Sequence, residues 1–174
     1  MNVLETWTGY RSQIKDWITE AVEHGATIEM VLLDPDSPQV KYRADALENM
    51  ADVREEIKLD LKALATVLGE LAQKSGYEGK LEIRLYDATP VVSMYRFDDT
   101  WIVASYLWGT DSIMGPQFEV KRGASTKPTP LAESLDEHFR NLWNKAARQI
   151  KVEKGKLVTT GREGEEKVVE ELTP

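Results

Sequence analysis

A chain of 174 residues, 41% hydrophobic and 30% charged, has the length and balance for one globular domain with a substantial core. Its formal charge of -8 and sequence pI near 4.9 argue against sequence-independent nucleic-acid binding, because a phosphate backbone is repelled unless basic residues gather on one face, and the nearest cluster is Lys121, Arg122 and Lys127. The lack of cysteine excludes a disulfide framework and thiolate metal sites, the start has no signal core, and no apolar run approaches the ~20 residues that span a bilayer, so a cytoplasmic protein without membrane contact is expected.

Across residues 3–23, Leu4, Trp7, Ile14, Trp17, Ile18 and Ala21 recur mostly at helical spacing and predict a first helix, with Thr8-Gly9 able to split off its first turn. His24-Gly25 closes it, since a histidine suits the negative end of a helix dipole and glycine accepts the left-handed cap conformation. Residues 27–33, TIEMVLL, are apolar and β-branched with little alternation, the pattern of a strand buried on both faces at the centre of a sheet. Asp34-Pro35-Asp36-Ser37-Pro38 ends it. Acidic residues at the carboxyl end of a central strand stand where open α/β sheets place ligand sites, yet Asp, Ser and Pro are equally the residues that cap and start a helix.

Residues 39–74 read as helix, with Leu47, Met50, Ile57, Leu61, Leu64, Leu68 and Leu71 forming a heptad-like stripe. One unbroken helix of that length would reach roughly 50 Å. The segment therefore either bends near Ala51-Asp52-Val53 or packs its outer part on a partner, and the stripe serves either as core or as a dimer interface.

Between Leu81 and Trp108 the pattern is that of three strands joined by two turns. Leu81, Ile83 and Leu85 alternate with Glu82, Arg84 and Tyr86, Asp87-Ala88-Thr89-Pro90 breaks the run, VVSMYRF follows, and Asp98-Asp99-Thr100 reverses the chain into WIVASYLW. A meander centred on VVSMYRF is expected. After a loop of small residues, QFEVK is a fourth strand and residues 123–130 a flexible flap. Residues 131–150 read as a closing helix, with Leu135, Phe139, Leu142, Trp143 and Ala146 on one face and His138 half exposed. The remainder, residues 151–174, is a hairpin across Lys154-Gly155 or a mobile, partner-contacting tail. The expected fold is α/β, a mixed sheet of about five strands flanked by helices over residues 1–150.

This order of elements, with DPDSP and RLYDATPVVSMYRFDDTWIVASYLW, resembles one half of the phospholipase D-like superfamily over roughly residues 10–147, including versions that sense effectors in bacterial helix-turn-helix regulators. The family motif HxKxxxxD, aligned on Asp98, puts its histidine on Val91 and its lysine on Ser93. The GSxN-like segment falls on Ala104, Ser105, Tyr106 and Leu107, and the later glutamate on Glu119. Asp98, Ser105 and Glu119 match, whereas the histidine, lysine and asparagine are replaced by Val91, Ser93 and Leu107. Valine forms no covalent phosphoenzyme, so the resemblance implies a domain without phosphodiesterase activity, without catalytic residues and without cofactor.

Val91, Ser93, Tyr95 and Phe97 share one strand face, which in the family looks into the cleft. Ser93, Tyr95, Ser105 and Trp108 could line a binding pocket there, with Arg84 or Arg96 for an anionic group; alternatively Tyr95 and Phe97 fill the core. The candidate ligand residues are thus Arg84, Ser93, Tyr95, Asp98, Ser105, Trp108, Glu119, Asp34 and Asp36. The leading expectation is a ligand-sensing or protein-interaction module, homodimeric, in a bacterial regulatory or defence system, binding a small molecule or nucleotide and not touching nucleic acid itself. Two others stand beside it. One is a phosphoesterase or nucleotide hydrolase using Mg²⁺ on Asp34, Asp36, Asp98 and Glu119, and the other a purely structural dimerisation domain.

Overall fold

The structure is a computed structural model and describes residues 1–5, 11–48, 52–74, 76–77, 80–110, 114–122, 129–153, 156–160 and 166–171. The expectations placed on Thr8-Gly9, on residues 123–128 of the flap, on the turn at Lys154-Gly155 and on residues 161–165 and 172–174 of the tail lie outside them.

In chain order the elements are β1 (Asn2–Glu5), α1 (Arg11–Glu23), β2 (Ile28–Leu33), α2 (Gln39–Ala46), α3 (Val53–Ala72), β3 (Leu81–Tyr86), β4 (Val92–Phe97), β5 (Thr100–Ser105), β6 (Gln117–Lys121), α4 (Pro130–Asn141), β7 (Ala147–Glu153), β8 (Lys156–Thr160) and β9 (Glu166–Glu171). A π-helical turn, Leu142–Ala146, joins α4 to β7. The fold is α/β with a mixed sheet flanked by helices, as expected, and the sheet extends to nine strands in the order β6-β5-β4-β1-β2-β3-β7-β8-β9. β1, β2 and β3 run parallel, and every other pairing is antiparallel.

β2 is the middle strand, as its unbroken apolar run implied; Met30, Val31, Leu32 and Leu33 are all buried. The crossovers β1-α1-β2 and β2-α3-β3 advance the same way along the sheet, so right-handed connections lay α1 and α3 on one face. Lys15 of α1 pairs with Glu70 of α3. α4 covers the opposite face, where its Arg140 pairs with Glu29 and its Asp136 with Arg96.

The heptad-like stripe is core. Ile57, Leu61, Leu64 and Leu71 are buried within the chain, and each contributes about 1.5–3 kcal/mol as apolar surface leaves water. The long helical segment bends where expected: α2 stops at Ala46, Glu48 takes a positive φ of 54°, and the Asp52 carboxylate accepts the Glu55 amide at 3.2 Å as the N-cap of α3. At the end of α1, Gly25 adopts φ +90° and His24 Nδ1 lies 2.8 Å from the Glu20 carbonyl oxygen, as the capping pattern predicts.

Three expectations are corrected. Residues 2–5 form a strand where a helix start was expected; four residues are too short to show a period, and what makes them a strand is the slot between β2 and β4 that Val3 fills, fully buried. The meander centred on VVSMYRF does not form from β3, β4 and β5, because β1 and β2 lie between β3 and β4; the meander is β4-β5-β6. Finally, the last helix ends at Asn141 and residues 147–153 extend as β7, held against β3 with Arg148 opposite Leu85. β7 then pairs antiparallel with β8, and β8 with β9.

Candidate ligand-binding cleft

At the carboxyl end of β2 the DPDSP loop is held by its own polar side chains. The Asp34 carboxylate accepts the Asp36 amide at 2.9 Å, and Ser37 Oγ donates to Asp87 at 2.6 Å while accepting the Gln39 amide at 3.0 Å. The capping reading of this loop is therefore the one its contacts support. A consequence is that α2 starts over the ends of β2 and β3 with Val40, Arg43 and Ala46 turned inward.

Two other segments meet α2 there. In the β3–β4 connection, Thr89 Oγ1 donates to Gln39 Oε1 at 3.0 Å and Pro90 is buried. After β5, the Tyr106 amide reaches the Val91 carbonyl at 3.4 Å, and Gly109, at φ +68°, donates its amide to the Ala46 carbonyl at 2.6 Å. Between them is a cleft of about 330 Å³ lined by Tyr42, Arg43, Ala46, Thr89, Pro90, Val91, Tyr106 and Trp108.

The lining is aromatic and apolar with one charge. Trp108 is 66% exposed and Tyr42 55%, whereas Arg43 is only 2% exposed. Its guanidinium carbon sits 4.2 Å from the centroid of the Tyr106 ring, a cation–π contact strengthened by the low dielectric around it. No carboxylate, imidazole or thiol is among the described lining residues; the cleft offers ring faces and the phenol groups of Tyr42 and Tyr106 to a bound molecule.

Of the nine candidate ligand residues, Trp108 lies in this cleft and the others do not; Val91, the position of the motif histidine, lies there too. Ser93, opposite Ala104, is buried on the α1/α3 face with Tyr95, which packs partly against the core. Ser105 pairs with Val92 and so lies on the opposite face of the sheet; the antiparallel register separates the two serines that were expected to share a pocket. Arg84 is committed to packing, donating to Glu82 at 2.9 and 2.7 Å and to the Trp143 carbonyl at 2.7 Å while lying 4.1 Å over the Trp143 ring.

The four carboxylates of the metal reading do not converge. Asp34 is buried beside Arg148, and Asp36 pairs with Arg54 at 2.9 Å. Asp98 lies at the other end of the sheet, since Arg96 is level with Asn2 and hence with Glu29. At the rise of an extended strand this places Asp98 roughly 20 Å from Asp34. Glu119 is on the edge strand β6, opposite Ile102, where it pairs with Lys121 at 2.8 Å and, by hydrogen bond and charge, raises the ammonium pKa. Among the described residues no group of three or more His, Asp or Glu side chains could hold a metal ion.

Asp98, at φ +51° in the β4–β5 turn, instead borders a second cleft of about 340 Å³ with Met1, Thr27, Glu29, Arg96 and Arg140. Here charge is matched by charge. Arg140 is paired with Glu29, while Arg96 donates to the Asp98 carbonyl and to Asp136, each at 2.8 Å. Of the basic cluster, Lys121 pairs with Glu119 and Arg122 with Asp99 at 3.6 Å, while Lys127 lies outside the described residues.

Sequence reasoning missed Tyr42, Arg43, Ala46, Thr89, Pro90 and Tyr106 as lining residues. One signal was available: Arg43 stands three residues after Val40 and four before Leu47, a charge within the inward stripe of an amphipathic helix that follows the carboxyl end of a central strand. Comparison with protein-family models, with curated proteins and with solved structures finds no match for this chain.

Proposed function

We propose that the chain is a catalytically inactive phospholipase D-like domain that senses a small ligand in the Arg43–Trp108 cleft, in a bacterial regulatory or defence setting. The observation that carries this reading is the position of Val91. Aligned on Asp98, the family motif puts its nucleophilic histidine there, and Val91 lines the aromatic cleft together with Tyr106, from the GSxN-like segment, and Trp108 just after it. On this alignment, the position that the family gives to its catalytic imidazole carries an inert side chain in the cleft lining, which supports binding without catalysis.

A thermal-shift panel of nucleotides and metabolites on the intact chain tests it. A compound that raises Tm in the wild type and has no effect in Tyr42→Ala and Trp108→Ala supports sensing at this cleft. A panel that moves Tm nowhere, or moves it equally in both variants, overturns the assignment of the cleft.

A further inference from the structure

We infer that the outer edge of β6 is a self-association surface, where a second copy of this chain adds its own β6 antiparallel about a two-fold axis, with Glu119 of each copy opposite Lys121 of the other. The inference is independent of the ligand cleft. β6 ends the sheet, and among the described residues β5 is the only strand paired with it.

The backbone restricts how a further strand can dock. In an antiparallel ladder, opposite residues alternately exchange main-chain hydrogen bonds and turn those groups away from each other. Arg122 gives its amide to the Asp99 carbonyl at 2.9 Å, so Val120 and Phe118, at two-residue steps, face β5 in the same way. The N–H and C=O groups of Glu119 and Lys121 therefore point to the outer edge. Only a register that sets two outward-facing residues opposite each other uses these groups, which excludes every slip by an odd number of residues.

Side-chain charge selects among the registers that remain. Glu119 opposite Lys121 joins unlike charges on both sides of the axis, whereas a slip of two residues in either direction sets Glu119 against Glu119 or Lys121 against Lys121. Within one chain these two side chains already pair at 2.8 Å, but both are exposed, so the pair contributes little alone and a second copy turns it into a ring of alternating charges. On the other face of the strand, Val120 lies level with Trp101 and hence with Arg96, which binds α4. There Val120 meets its own copy on the axis, and Phe118, 58% exposed, comes opposite Arg122 as a ring facing a cation. The edge strand at the other end of the sheet lacks this complementarity: β9 holds Glu166, Glu170 and Glu171 against Lys167, and its pairing with β8 shifts register at Leu157/Val158.

Sedimentation equilibrium of the intact chain from about 1 µM to about 1 mM tests the inference, at about 0.15 M salt so that the long-range repulsion between two chains is screened. Each chain carries a formal charge of -8. The wild-type mass at the upper end should approach twice 19.7 kDa. Glu119→Lys and Lys121→Glu each place like charges across the seam and should weaken association about tenfold or more. An equimolar mixture of the two variants, and the double variant carrying both changes, bring unlike charges back into opposition and should restore the dimer, which separates pairing from damage to the fold. A wild type that stays monomeric at about 1 mM overturns the inference, even where an added peptide binds the edge. So does a dimer that both single variants leave unchanged, or a loss that neither the mixture nor the double variant reverses.

Discussion

The two ends of the sheet carry clefts of almost the same volume, about 330 Å³ beyond the carboxyl ends of β2 and β3 and about 340 Å³ at the amino ends of β1 and β2, and their chemistry is opposite. At the amino end, arginines meet carboxylates and a backbone carbonyl at hydrogen-bond distance, so an incoming ligand would have to displace existing partners before making its own contacts. At the carboxyl end, two aromatic rings face solvent and no carboxylate is among the described lining residues. Volume does not separate the two clefts. What separates them is whether a ligand meets polar groups that the protein has already paired or ring surface that it has left uncovered.

The comparison breaks most completely if the carboxyl end loses its foundation. Arg148→Ala strands the buried Asp34 carboxylate beneath α2 and is expected to cost about 3 kcal/mol in urea unfolding, because one partner of a buried pair is removed and the other remains. A loss below about 1 kcal/mol would mean that Asp34 is hydrated in solution. Trp108→Ala sharpens the contrast from the other side. It should abolish the rise in Tm that a ligand of the cleft produces, yet leave the Tm of the free protein nearly unchanged, since a largely exposed side chain contributes little to folding.

At the amino end, Arg140→Ala removes a partly exposed pair with Glu29. The expected destabilisation is below about 1 kcal/mol and shrinks further in high salt, which a urea series at two ionic strengths would reveal. The smallest effect belongs to His138 on α4, whose burial lowers its pKa. Folding favours its neutral form, so this contribution to stability is full above the ordinary imidazole value of about 6.5 and is lost as pH falls through the lowered folded-state value. His138→Gln should remove a shallow loss of Tm on acidification; an identical pH profile in the variant would exclude the effect.

Several parts of this arrangement are legible in the amino-acid sequence alone. β2 announces its central place by an unbroken apolar run, β3 to β6 by alternation and turn residues, and the break between α2 and α3 by Asp52. Val91 and Trp108 could be singled out from a motif and its departures. These features are local: burial on one face leaves a period of two or 3.6 in neighbouring residues, and a cap needs one side chain at one position.

The rest depends on residues far apart in sequence. Nothing within Asn2–Glu5 tells that it will separate β3 from β4, and Ala147–Glu153 is a strand because β3 offers it an edge and Asp34 offers Arg148 a partner. The cleft is built from residues 42–46, 89–91 and 106–108, and Arg43 reaches the Tyr106 ring only because α2 is laid over the strand ends. Likewise Ser93 and Ser105 part because an antiparallel register sets them on opposite faces. The chain by itself therefore determined which segments are strands, helices and caps across most of its length, since each such choice is made by adjacent residues. Which strands became neighbours, and hence which rings and which charge came to share a cleft, was decided by tertiary pairing, where the free energy belongs to contacts between distant segments and leaves no period in either one.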